Sequence, residues 1–164
     1  MLKNPDSGVD IVYLWVNGSD LAWRRKRQQA MANLSAADRE DMALYSNVEG
    51  RFRDNDELRF NLRALEKFFP NHGHIFLVTD GQTPDWLKKS AGITVVDHRD
   101  LIDAAMLPTF DSGNIESYIH HIPNLSERFF LPERRRFLRC ARTTLRLVLP
   151  RWYLCRLVRR SGDH

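Results

Sequence analysis

Three apolar runs in the chain end on a small polar pair: Asn17-Gly18, Asp80-Gly81 and Asp97-His98. In an open α/β sheet, ligands bind outside the carboxyl ends of the strands, so three such ends can line one crevice. Each pair taken singly is also plain turn chemistry, because Asn, Asp and Gly dominate turns. A second group, Arg51, Arg53, Asp54 and Asn55, crowds the loop before an amphipathic stretch. Two guanidiniums beside a helix N-terminus suit a phosphate, because the free amides and the dipole both favour anions. A solvated loop in which Asp54 caps the helix accounts for the same residues. The third group is Glu116, Tyr118, His120 and His121. Glu116 and His120 are four apart, on one face of a helix, where a carboxylate can orient an imidazole or both can meet a substrate. An exposed Glu–His pair is the plainer alternative. No third ligand stands at zinc spacing and HExxH does not occur. GxGxxG and Walker loops are also missing, which argues against an ordinary dinucleotide or ATP site.

The elements that must position these groups follow from periodicity. Asp10 to Val16, DIVYLWV, is almost wholly apolar, as a strand buried on both faces of a parallel sheet must be. Asn17-Gly18 then turns the chain, and Ser19-Asp20 caps a polar, basic helix over residues 21–32. Ser35 to Leu44 reads as a further short helix; the two could form a lid or an insertion. Leu58, Leu62, Leu65 and Phe69 form one helical stripe, with Asp54 and Glu57 as its capping pair and Pro70 as its stop. HIFLVTDG is the next strand and breaks at Asp80-Gly81. Pro84 to Lys89 is expected to be a short helix with Pro in its first turn. Ile93 to Asp97 is a third strand, and Leu107 is extended because a proline follows it. Ser112 is the expected cap of a helix over 113–120, and Arg128-Phe129-Phe130 begins a fourth strand. The fold class is α/β, a mostly parallel sheet flanked by helices.

At 164 residues, 43% hydrophobic and 28% charged, the chain fits one globular domain with a sizeable core. No apolar run approaches the roughly 18 residues of a membrane span, and MLKNPDSGVD has no apolar signal core, so a cytoplasmic location is expected. Cys140 and Cys155 are too few and too late for a disulfide framework. The net charge of +4 is unevenly spread: residues 131–164 hold ten arginines, no lysine and two acids, Glu133 and Asp163. Residues 1–130 carry 15 bases against 19 acids. The composition changes near residue 131.

Several stretches resemble a known family. IVYLWVNGSD resembles the first conserved region of the Stealth family, over about residues 9–20. RFRDNDELRFNLRALEKFFPNHGHIFLVTDGQTPDWL and LPTFDSGNIESYIHHIPNLSERFF resemble its second, over about residues 51–130. The family comprises sugar-1-phosphate transferases of bacterial capsule and exopolysaccharide synthesis, related to the lysosomal-enzyme N-acetylglucosamine-1-phosphotransferase. The resemblance implies a Rossmann-like core and a nucleotide-sugar donor of UDP-hexosamine type. It also implies Mg²⁺ or Mn²⁺, and transfer of the sugar with its inner phosphate to a hydroxyl of a glycan acceptor. It makes Glu116, in IESY, a catalytic carboxylate suited to taking the acceptor's proton. His120 matches the second histidine of that segment, and Tyr118 replaces the first. Arg51, Arg53, Asp54 and Asn55 would handle the diphosphate or support the loop that does. Asn17, Gly18 and Asp80 would line the nucleotide side.

The family continues after this point into a motif like YLNDDVFFG, whose paired aspartates serve as metal ligand and catalytic groups. This chain reads LPERRRFLRC over Leu131 to Cys140. The codons CTA CCT GAA CGA CGA CGT TTT CTT CGG TGC encode that string, and without their first base they read YLNDDVFFG. A frameshift just after Phe130 is the expectation, leaving residues 1–130 as the start of the core, incomplete, and 131–164 as an out-of-frame tail. Such a chain lacks the aspartate pair and is expected to be inactive as written. As a genuine segment, the tail reads instead as a basic amphipathic helix, broken near Pro150, in peripheral contact with an anionic inner membrane surface. Nucleic acid is the remaining reading of so many arginines and is not expected as a partner. The other functional class is a non-catalytic module that binds a nucleotide sugar or a glycan.

Overall fold

The computed structural model describes residues 8–34, 52–88 and 90–132. The stretch 35–44, Arg51, and the tail from Glu133 onward therefore lie outside the described residues. The elements, in chain order, are β1 (Asp10–Leu14), α1 (Leu21–Asn33), α2 (Glu57–Phe68), β2 (Ile75–Thr79), β3 (Ile93–Asp97), α3 (Ser112–Ser117) and β4 (Phe129–Phe130). Short 3₁₀ turns occupy His98–Asp100, Ala104–Met106 and Ile119–His121. The four strands form one sheet in the order β3-β2-β1-β4, and every pairing is parallel. This is a Rossmann-like α/β architecture in which the strand order changes direction at β1.

The apolar runs explain the layering. Along β1 and β2 alternate side chains point to opposite faces, and both faces are covered. Val12, Phe76 and Val78 pack with Ile115, Ile119, Ile122, Leu101 and Ile102 on one side. Ile11, Tyr13, Trp15, Ile75 and Leu77 pack with Leu58 and Leu65 of α2 on the other. Leu62 and Phe69 complete the helical stripe as half-buried neighbours, as the spacing predicts. β3 reads as apolar as its neighbours, yet only Val96 is buried and Val95 is exposed, because β3 is an edge strand. No described helix is long and apolar enough to cross a membrane.

Local chemistry departs from the sequence expectation at four points. The N-cap of α2 is Asp56, in the left-handed region at φ 62°, with no side-chain cap bond. Asp54 and Glu57 do not form the expected capping pair. Asp54 Oδ1 accepts from the Asp56 amide at 3.0 Å, while Glu57 reaches back to the Asn55 amide and side chain at 2.8 and 2.9 Å. The stretch from Pro84 makes a single turn, closed by Leu87 N–H donating to Pro84 C=O, rather than a helix. α3 is capped by Asp111, not Ser112, because Asp111 accepts from both the Gly113 and Asn114 amides. It also stops at Ser117, and the chain continues as a 3₁₀ turn, so Glu116 and His120 do not share one continuous helix. Elsewhere Asp20 caps α1 through the Trp23 amide and Leu107 is extended, both as expected.

The sheet is held in register at its amino end by Asp10, which is 2% exposed. Its Oδ1 accepts from His74 N–H at 2.7 Å and its Oδ2 from Ser126 N–H at 2.9 Å. One carboxylate thus fixes the starts of β2 and β4 against β1. Gly73 makes room for it, since a Cβ at Gly73 would lie 2.2 Å from Asp10 Oδ1. Replacing Asp10 by Ala leaves two part-buried amides without their acceptor, at a cost of about 3 kcal/mol. Urea denaturation checks this: Asp10→Ala should unfold at clearly lower urea, and a change within about 0.5 kcal/mol would remove Asp10 from this role.

Candidate functional site

The carboxyl end of β1 leads directly into the site. Trp15 is buried, and its indole Nε1–H donates to Asp54 Oδ2 at 2.8 Å, tying the end of β1 to the loop before α2. Asn17 and Gln82 are joined in both directions. Asn17 N–H donates to Gln82 Oε1 at 2.8 Å, and Gln82 Nε2–H donates to the Asn17 carbonyl at 3.2 Å. The loops after β1 and β2 therefore form one wall. Gly18 N–H donates to the Phe52 carbonyl at 3.1 Å. A Cβ at Gly18 would lie 2.2 Å from that oxygen, so no larger residue fits without moving backbone.

These loops surround a cavity of about 520 Å³ at the carboxyl ends of β1 and β2. Trp15 and Trp86 line it together with the carboxylates of Asp20, Asp54, Asp56 and Asp85. No lysine or arginine is among its described lining residues. Indole faces suit a sugar or a base, and carboxylates with Asn and Gln groups suit hydroxyl and amide donors. The same four carboxylates repel an unaccompanied phosphate.

The residues singled out from the sequence distribute around this cavity unevenly. Asn17, Asp54 and Asn55 line it. Gly18 lies in its β1 loop, and Arg53 is exposed outside the wall. Asp80 sits one residue before the lining residue Gly81, whose φ of +69° turns the chain sharply. Its side chain is 6% exposed, and Oδ1 is ion-paired with Lys26 Nζ from α1, whose side chain is 44% exposed. Asp97 is held by Arg99, whose Nε–H and Nη2–H both donate to it at 3.0 Å. His98 is buried behind this edge, within electrostatic reach of Asp80, Asp97 and Lys26. Glu116 and His120 are exposed on and after α3, outside the cavity wall, and the His120 ring meets His121 at 4.1 Å between centroids. Among the described residues no three His, Cys, Asp or Glu side chains converge as metal ligands would.

Sequence reasoning missed Lys26, Gln82 and both tryptophans. Gln82 carried a signal, being a polar residue just past a strand-ending Asp-Gly. Lys26 carried none, because it is one of four consecutive cations on a polar helix. Its position is set by Trp23, the buried residue of α1, which packs against Phe52 and Phe110 at 5.1 and 5.5 Å. Arg27 adds a guanidinium 4.4 Å above the Phe52 ring.

Comparison with known proteins agrees with the motif resemblance. The region described as "Stealth protein CR1, conserved region 1" matches residues 8–35, and "Stealth protein CR2, conserved region 2" matches residues 51–141. The chain is 43% identical over 125 residues to the capsular polysaccharide phosphotransferase cps1A of Actinobacillus pleuropneumoniae, covering 75% of this chain and 33% of that protein. It is 50% identical over 125 residues to the exopolysaccharide phosphotransferase SCO2592 of Streptomyces coelicolor, covering 74% of this chain and 13% of that protein. The capsular polysaccharide phosphotransferase LcbA of Neisseria meningitidis is 41% identical over 123 residues, with 74% and 32% covered. The chain thus spans about a third or less of these relatives.

Two outcomes follow from the geometry. Gly18→Ala should push the β1 loop away from Phe52 and destabilise the chain by about 1–3 kcal/mol, the usual cost of overpacking; thermal unfolding followed by tryptophan fluorescence checks it. Burial holds the His98 imidazole below its ordinary value of 6.5, although Asp80 and Asp97 pull the other way. The unfolded chain therefore takes up this proton more readily than the folded one. The His98 contribution is complete above pH 6.5 and is lost as pH falls through its lower folded value. Arg99 likewise holds the Asp97 carboxyl below 3.8, so its contribution is lost only under stronger acid. Urea midpoints at pH 7 and pH 5 should fall less for His98→Gln than for the unsubstituted chain.

Proposed function

We propose, from the premise that this chain belongs to the Stealth family, that the complete protein transfers a hexose-1-phosphate in capsule or exopolysaccharide synthesis. The donor is a nucleotide sugar of UDP-hexosamine type and the acceptor a hydroxyl of a glycan. The observation that carries this reading, beyond the family, is the place and chemistry of the cavity. It lies outside the carboxyl ends of β1 and β2, and open α/β sheets bind ligands outside the carboxyl ends of their strands. Its tryptophans and acceptor groups suit the ring and hydroxyls of a nucleoside or a sugar. The relatives are named as phosphotransferases of capsular or exopolysaccharide, which agrees with such a ligand.

In this reading the chain's own residues bind and orient. The Asn17–Gln82 clamp and the Trp15–Asp54 bond keep the cavity open before ligand arrives, so little ordering cost falls on binding. Asn17, Gly18 and Asp80 stand on the nucleotide side, while Arg53, Asp54 and Asn55 form or support the wall. Glu116 is the carboxylate that takes the acceptor's proton, with His120 beside it in sequence. Both are exposed at this stage, so the acceptor site would be completed by parts of the protein beyond the described residues.

The 164-residue chain itself is proposed to bind its donor without turnover. At the positions where the resemblance expects an aspartate pair, this chain has Glu133, Arg134, Arg135 and Arg136. A single-base shift after the Phe130 codon accounts for both the lost pair and the arginine-rich composition. The gene sequence decides that point: a reading frame restoring the pair after Phe130 is expected, and its absence would dismiss the frameshift. With radiolabelled UDP-sugar and Mn²⁺, the chain should show donor affinity and no transfer. Clear product would overturn the inactivity, and no affinity for any nucleotide sugar would overturn the binding role.

A further inference from the structure

Strand register brings three ionisable side chains together on the side of the sheet away from the cavity. Thr79 pairs with Asp97 in the β2–β3 ladder, so Asp80 and His98 are the next neighbours along it. Alternation turns both to the face of Val78 and Val96, opposite that of Trp15 and Trp86. His98 is 3% exposed and the Asp80 side chain 6%. Lys26 comes down on Asp80 from α1, and its own side chain stays 44% exposed.

The bonding in this cluster is incomplete. Asp80 Oδ1 accepts from Lys26, but Asp80 Oδ2 and His98 Nδ1 are buried with no partner among the described residues. A proton on that ring nitrogen would give the carboxylate oxygen a donor. Other ionisable groups stand around His98. Its own turn carries Asp97 and Arg99, paired with each other, and Asp100, which accepts from the Asp97 amide. From the α3 side come Tyr118, packed against the same core, and His121, whose Nδ1 lies 2.8 Å from the Leu101 carbonyl. Asp80 and Asp97 favour a charged His98 ring, while burial and Lys26 oppose it.

Protonating His98 changes which cation Asp80 holds. With Nδ1–H donating to Oδ2, one carboxylate faces two cations. Their repulsion is relieved by moving one into water, a route open to the exposed Lys26 and closed to the buried His98. α1 buries only Trp23, so it has little apolar packing to hold it once the ion pair opens. We propose that His98 is a proton sensor for α1: on taking up a proton it replaces Lys26 as the cation bonded to Asp80, and the helix loosens. Asp20, the N-cap of α1, lines the cavity, so the change reaches the site through that residue.

Hydrogen exchange and histidine-ring NMR on the full 164-residue chain, taken through the same pH series, test this. After correction for intrinsic exchange, the α1 amides should lose protection about 10-fold, the worth of a charge-assisted bond, with the midpoint at which His98 itself titrates. That midpoint lies below the ordinary 6.5. α2, packed on the opposite face, should keep its protection. Lys26→Met should loosen α1 to the same degree already at about pH 7 and abolish the pH response. His98→Gln should keep α1 protected throughout, and His121→Gln should leave the response intact. Lys26→Met alters an exposed side chain and remains readable if His98→Gln fails to fold. An α1 midpoint that departs from that of His98, or a parallel loss in α2, would overturn the proposal. So would a response that survives His98→Gln or Lys26→Met, or one that disappears with His121→Gln.

Discussion

A single buried carboxylate sets the geometry on which everything at the other end of the sheet depends. Parallel strands cannot be registered by tight hairpins, so their alignment must come from side chains or crossovers. Asp10 supplies it by accepting from the amides of His74 and Ser126, while its own N–H donates to the Arg128 carbonyl. Since successive side chains face opposite ways, a slip of one residue in β2 would exchange Phe76 and Val78 for Ile75 and Leu77 across the two cores. At the carboxyl ends Leu14 stands level with Val78 and Thr79 with Asp97.

The carboxyl edge that results is sorted by charge. Aspartates gather around the cavity, with Trp15 and Trp86 among its lining residues. Four of the described cations outside it are engaged: Lys26 by Asp80, Arg27 by the Phe52 ring, Arg59 by the Trp86 ring and Arg99 by Asp97. Such sorting lets neutral hydroxyl groups enter an acceptor-rich hollow while a charged group stays at its margin. The reciprocal Asn17–Gln82 bonds matter here because they tie the loop after β1 to the loop after β2.

The strands were legible because burial on both faces leaves only apolar residues along β1 and β2. The stripe of α2 was legible because Leu58, Leu62, Leu65 and Phe69 keep helical spacing. Helix ends were read less well. Asp54 has the right spacing to cap α2, yet Trp15 from a distant strand claims its carboxylate, and spacing alone cannot show a bond across 39 residues. Glu116 and His120 have the spacing of a helix pair, but the helix yields to a 3₁₀ turn after Ser117. Of the site, the polar ends Asn17 and Asp80 were visible as turn letters. What holds them in place, namely Gln82 reaching back to Asn17 and Lys26 reaching across to Asp80, is tertiary contact and leaves no periodic trace.

The same reasoning explains why α1 is informative although it looked like a solvated helix. Its polar, basic residues give it almost no apolar stripe, so ordinary amphipathic packing cannot hold it on the sheet. It is attached through Trp23 in an aromatic cluster, Arg27 over Phe52 and Lys26 on Asp80. A helix fixed by one indole and two cations gains less from burial than α2 does from its leucines. Its seating therefore depends more on the charge of what lies beneath it. Asp80 is that charge, fixed at the end of β2 with its side chain 6% exposed.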